Sequence, residues 1–142
     1  MQLTRDRKTE LLAATPLFEG LEPEELGRIV DRTVETDYGA GGVIVREGEI
    51  GTGFFIVVDG RVKVVRSGTT VAHLGPGEFF GELSVLDGGP RVAQVVAEAP
   101  TTCLAIASWD FERVLRDEPG VALAVLRVVA ARLRTVTTDH RT

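Results

Sequence analysis

Apolar positions follow a helical spacing at the start of the chain, strand alternation through the middle, and a helical spacing again at the end. Residues 3–14 suit a first short helix, which Pro16 ends because proline supplies no backbone donor. Pro23 stands where the first turn of a helix tolerates it, and Glu24 and Glu25 follow at the positive end of the helix dipole. Leu26, Ile29, Val30 and Thr33 then mark one face of a helix of about ten residues.

From Gly39 to Ala107 the pattern turns to strands. Val43–Val45, Gly53–Val58, Arg61–Val65, Val71–Leu74, Val92–Ala97 and Thr101–Ala107 are β-rich runs. Glycine-containing breaks separate most of them: Glu47-Gly48-Glu49, Asp59-Gly60, Ser67-Gly68, Gly75-Pro76-Gly77 and Asp87-Gly88-Gly89-Pro90. Many short strands at regular spacing favour a small sandwich or jelly roll over a parallel α/β fold. Ser108 reads as an N-cap, with Asp110 in the first turn and Phe111, Val114 and Leu115 turned inward.

Asp117-Glu118-Pro119-Gly120 interrupts, and a longer helix runs from about Pro119 to Thr138. It carries two apolar stripes. Ala122, Leu126, Val129, Leu133 and Val136 alternate in steps of four and three, while Val121, Val125 and Val128 form a neighbouring row. A helix packed on one side needs one stripe. The second leaves two readings: a partner such as a second subunit, or a helix deeply buried in one subunit. Arg127, Arg132 and Arg134 suit the negative end of this helix.

At 142 residues the chain is about one domain long and can bury a core. Sixteen Lys and Arg against 21 Asp and Glu leave a net charge of −5, which argues against a nucleic-acid-binding surface and for a local pocket if an anion is bound. The N-terminus is polar, with no hydrophobic signal region behind it, and no segment approaches the roughly 20 apolar residues of a membrane span. Cys103 is the single cysteine, so no internal disulfide forms and a reducing cytoplasm is the simplest setting. A metal enzyme of the cupin type needs clustered histidines, whereas His73 and His140 lie far apart in sequence. No nucleophile–base set stands out, and Cys103 in its apolar strand reads as a small core residue. No enzyme activity and no cofactor are expected.

The stretch from Gly77 to Ala97 carries the chemistry. Glu82 follows Gly81 on a short turn, and Arg91 opens an apolar run. A carboxylate accepts from ribose-type hydroxyls, and a guanidinium binds phosphate oxygens in pairs. If the strand is regular, Arg91, Ala93, Val95 and Ala97 share a small apolar face, which sends the guanidinium inward and in need of an anion. The alternative is a strand-end arginine reaching back to solvent. Gly81 lets backbone approach a ligand, and Ser84 offers either a hydroxyl donor or a cap for the turn.

Gly81-Glu82-Leu83-Ser84-Val85-Leu86 followed by Arg91-Val92-Ala93 resembles the phosphate-binding cassette of the cyclic nucleotide-binding domain family, which spans catabolite-activator-like and protein-kinase-A-regulatory-subunit-like sensors. Leu17–Leu21, Phe55–Gly60, Gly75–Phe80 and Trp109–Leu115 resemble the family's helical entry, central strand and turn, cassette lead-in and B helix. The resemblance implies an α+β fold: an antiparallel, jelly-roll-like β-roll flanked by N-terminal helices and a C-terminal pair of B and C helices. It implies one domain over 1–142, with a helical segment 1–36, a roll 37–107 holding the cassette 79–93, and the B and C helices 108–142.

By the same resemblance, Glu82 accepts from the ribose 2′-hydroxyl and Arg91 binds the exocyclic phosphate oxygens. Backbone N–H groups around Gly81, Leu83, Ser84 and Ala93 complete the cradle, and the C helix closes over the base. Thr137 or Thr138 either contacts the base or belongs to a frayed polar terminus. Val92 stands where a hydroxyl helps some members select cGMP, which tilts the expectation to cAMP. A cytoplasmic sensor follows, with no direct nucleic-acid contact, no membrane segment and a homodimer through the C helix. A non-binding structural or dimerisation module of the same fold is the alternative. The chain stops at Thr142, where catabolite-activator-like members continue into a helix-turn-helix, so a stand-alone sensor and the sensor part of a longer protein both remain open.

Overall fold

A computed structural model describes residues 2–139, with side chains as far as residue 135. The helices are α1 (Arg5–Ala13), α2 (Pro23–Val30), α3 (Glu82–Asp87), α4 (Ser108–Asp117) and α5 (Pro119–Asp139). The strands are β1 (Thr33–Tyr38), β2 (Val43–Val45), β3 (Gly53–Asp59), β4 (Val62–Arg66), β5 (Thr69–Leu74), β6 (Phe79–Phe80), β7 (Gln94–Ala97) and β8 (Thr101–Ala107). They form two antiparallel sheets, ordered β1-β8-β3-β6 and β2-β7-β4-β5. The α+β roll expected from the sequence is present, as two open sheets of four strands rather than a closed barrel.

The first sheet is apolar on both faces, because it separates the helices from the second sheet. Phe54, Ile56, Leu104 and Ile106 point to the helices and meet Leu12, Phe18, Ile29, Phe111, Val121 and Val125. Alternation sends Val57 and Cys103 to the opposite face, where they meet Val62, Leu74, Phe80 and Val95. Phe54 stacks on Phe111 with centroids 3.8 Å apart, which fixes α4 on the sheet. Each fully buried side chain of this kind contributes about 1.5–3 kcal/mol.

Several sequence expectations are corrected. Thr33 does not extend α2; it opens β1, and its hydroxyl donates to the Val30 carbonyl at 2.7 Å as the helix ends. β1 therefore crosses the boundary expected between residues 36 and 37. Ser108 is not an N-cap. Ala107 holds that position, and the buried Ser108 hydroxyl has no hydrogen-bond partner among the described residues. Phe111 is buried as expected, while Val114 and Leu115 are half-buried. The break between α4 and α5 narrows to the single residue Glu118.

The row Val121, Val125 and Val128 packs toward the core. The four-and-three stripe is split: Leu126 and Leu133 face outward, 57% and 63% exposed, while Val129 packs against the core and Ala122 is half-buried. Deep burial of the whole helix is thus excluded over the described residues. Val136 and the side chains of Thr137 and Thr138 lie outside them, as does His140.

Candidate functional site

β6 delivers the chain to the site. Phe79 and Phe80 pair with Ile56 and Phe55 and lock this two-residue strand to the sheet centre. Gly81 follows at φ +92°, a left-handed conformation that L side chains avoid, and caps α3. The turn expected after Gly81 is therefore a six-residue helix beginning at Glu82. Glu82 and Ser84 are buried on it, and Leu83 is 39% exposed. Ser84 does not cap the turn: that position belongs to Gly81.

Arg91 precedes β7 rather than lying in it, and Val92 and Ala93 form a bend. The strand expected from Val92 begins two residues later, at Gln94. Arg91 nevertheless faces inward, at 7% exposure, with Val95 and Ala97 on the buried side of the strand that follows. Val92 is half-exposed and Ala93 half-buried.

The Arg91 main chain is held by the loop before β3: its N–H donates to Glu49 O and its carbonyl accepts from Gly48 N, both at 2.8 Å. Its guanidinium donates from Nη2 to Gly53 O at 2.8 Å and from Nη1 to Gly81 O at 3.3 Å. Nε is buried with no partner among the described residues. Burial holds the Arg91 pKa below its ordinary value, and the Glu82 charge partly offsets this. A buried cation whose hydrogen bonds go only to carbonyls, and whose burial Glu82 offsets only in part, is incompletely neutralised, and an anion supplies the remainder.

Glu82 has a different partner. Arg132 of α5 donates from Nη1 to Glu82 Oε1 at 2.5 Å and from Nη2 to Phe79 O at 2.6 Å. The same guanidinium lies over the Phe79 ring, 5.0 Å from its centroid. Sequence reading assigned Arg132 to the helix dipole and to the stretch 132–138 that resembles a base-contacting helix, and missed its pairing with Glu82. Its signal was present: Val121, Val125, Val128 and Arg132 follow steps of four, three and four, so Arg132 continues the inward row.

The remaining chemistry-bearing residues stand elsewhere. His73 pairs through Nδ1 with Glu98 Oε1, and among the described residues no group of His, Cys, Asp and Glu is arranged to hold a metal. Cys103 is buried, and burial pushes its thiol up to about 12. Among the described residues no helix is long and apolar enough to cross a membrane.

Residues 35–118 match the model of the cyclic nucleotide-binding domain, and the chain belongs to that family. It is 37% identical over 128 residues to a cyclic AMP receptor protein of Thermus thermophilus, covering 87% of this chain and 59% of that one. It is 40% identical over 116 residues to a cyclic nucleotide-gated potassium channel of Mesorhizobium japonicum, covering 82% of this chain and 32% of the channel. Among solved structures, the Thermus thermophilus catabolite activator protein superposes with a TM-score of 0.79 at 37% identity, over 88% of this chain and 61% of that one. The chain thus spans less than two thirds of each of these relatives.

Proposed function

We propose that this chain is a regulatory, non-catalytic sensor of a cyclic nucleotide, with cAMP preferred to cGMP. One observation carries the reading: a buried arginine, Arg91, whose Nε has no partner and whose guanidinium forms no ion pair among the described residues. An exocyclic phosphate oxygen offers both a hydrogen-bond acceptor and the missing negative charge. The names of the relatives support the ligand class.

In this reading Arg91 takes the phosphate, and N–H groups around Gly81, Leu83, Ser84 and Ala93 complete the cradle. Glu82 accepts from the ribose 2′-hydroxyl. Val92 offers no hydroxyl to guanine, which favours adenine. Thr137 or Thr138 contacts the base.

Coupling to α5 runs through Arg132. Ligand hydroxyls at Glu82 alter the partners of the carboxylate that Arg132 holds, so capture biases the position of α5 about the break at Glu118. The ligand shifts this equilibrium only as far as its affinities for the two positions differ. The exposed stripe through Leu126 and Leu133 suits a second copy of the chain, which makes a homodimer the working assembly.

A second reading, a structural module that binds no nucleotide, is favoured by the Glu82–Arg132 pair, since the carboxylate is already satisfied. Calorimetry with cAMP and cGMP separates the two: heat with cAMP at micromolar to millimolar ligand supports the sensor, and none with either nucleotide supports the module.

A further inference from the structure

Gly51 has no assigned role in the reading above, yet its surroundings are unusual. Its φ is not in the left-handed region, so the backbone there accepts any L residue. The space does not. A Cβ built on Gly51 would overlap Nε, Cζ and Nη2 of Arg91. Across the guanidinium, a Cβ on Gly81 would stand 2.8 Å from Nη1 and from Gly53 O. The side chain therefore lies in a slot bordered by two bare Cα atoms.

The main chain of Arg91 is fixed to the same loop, at Gly48 and Glu49, and an isolated bridge joins Ile50 to Pro90. Arg91 is thus tied to the loop before β3 at its backbone and folds its guanidinium back onto that loop at Gly51. The two carbonyls of Gly53 and Gly81 take Nη2 and Nη1, and the contact with Gly51 leaves Nε over bare backbone.

We propose that Gly51 is a positioning residue for Arg91: its missing side chain admits the guanidinium to a slot in which Nη1 and Nη2 are held and Nε is left without a hydrogen-bond partner among the described residues. This rests on Arg91 as the phosphate ligand only for its consequence in binding; the slot stands on the packing alone. A methyl group at residue 51 displaces the guanidinium, since overpacking a close contact forces the movable side chain out. Gly81 also borders the slot, but its φ of +92° strains any substitution and makes it a poor probe.

The test is Gly51→Ala, alone and with Arg91→Ala. In ¹⁵N spectra of the parent, the buried Arg91 Nε–H signal is expected to be protected from solvent exchange. Gly51→Ala removes that protection and weakens cAMP binding by about ten- to one-hundred-fold. Whatever Gly51→Ala takes from the melting temperature disappears in the Arg91→Ala background, because the clashing group is gone. If Gly51→Ala alone does not fold, the double variant does. The proposal is overturned if Gly51→Ala keeps both the protected signal and the parental affinity, or if its effect on melting or folding is the same without Arg91. A parent that binds no nucleotide defeats the functional reading alone, and the Nε–H protection still decides the slot.

Discussion

Arg132 and Glu82 are fifty residues apart in sequence and joined at 2.5 Å, tying the C-terminal helix to the first residue of α3. The carboxylate is nearly buried and the guanidinium about one third exposed, so removing either leaves the other less well satisfied. Arg132→Ala is expected to destabilise the fold by about 1–3 kcal/mol by leaving the Glu82 carboxylate buried without its partner. Denaturant melts of Arg132→Ala, Glu82→Gln and the double variant read the coupling, expected at about 0.5–3 kcal/mol. Strict additivity would show that the pair does not hold α5 to the cassette.

Cys103 is expected to be inert in the folded protein. Its thiol sits between the sheets with its pKa pushed up to about 12, so little thiolate forms near neutrality. Alkylation at pH 8 should be undetectable in the native state and complete in denaturant. Rapid native labelling would mean that the two sheets separate readily.

The His73–Glu98 pair predicts a pH effect of defined sign. Glu98 only accepts, so Nδ1 carries the proton. That hydrogen bond, with smaller contributions from the charges of His73, Arg61 and Lys63, holds the Glu98 carboxyl below its ordinary value. A lowered folded pKa gives stability that is present above the unfolded value of about 4.3 and is lost as pH falls through the folded one. In His73→Ala the Glu98 midpoint, followed by carboxyl ¹³C shifts, should rise toward its ordinary value. An unmoved midpoint would assign the shift to something other than His73.

Leu126 and Leu133 are expected to lie at a subunit contact. The solution mass should be that of a dimer over a range of concentrations, and Leu126→Glu with Leu133→Glu should yield monomers that still fold. A parent that is monomeric throughout removes this role for the exposed stripe.

Much of the fold was legible because the sequence alternates apolar runs with glycine turns, and β3 and β8 follow their runs closely. β1 was hidden because it is polar and turns Val34, 64% exposed, to solvent. β6 has two residues and α3 six, too few to display a period. The inward direction of Arg91 was anticipated by strand parity, although the backbone there is a bend: its ties to Gly48 and Glu49 aim the side chain. Arg132 escaped because an arginine late in a helix has a simple reading in the helix dipole. Its position in the valine row was the better guide, since a charge on an inward face needs a partner.

Titration calorimetry of the parent and Arg91→Ala with cAMP decides whether Arg91 is the buried cation that takes the phosphate. The parent should bind cAMP saturably and cGMP more weakly, and Arg91→Ala should lose about 2–5 kcal/mol, because a buried ligand charge loses its partner. Equal affinity for cAMP in parent and variant would contradict this role for Arg91.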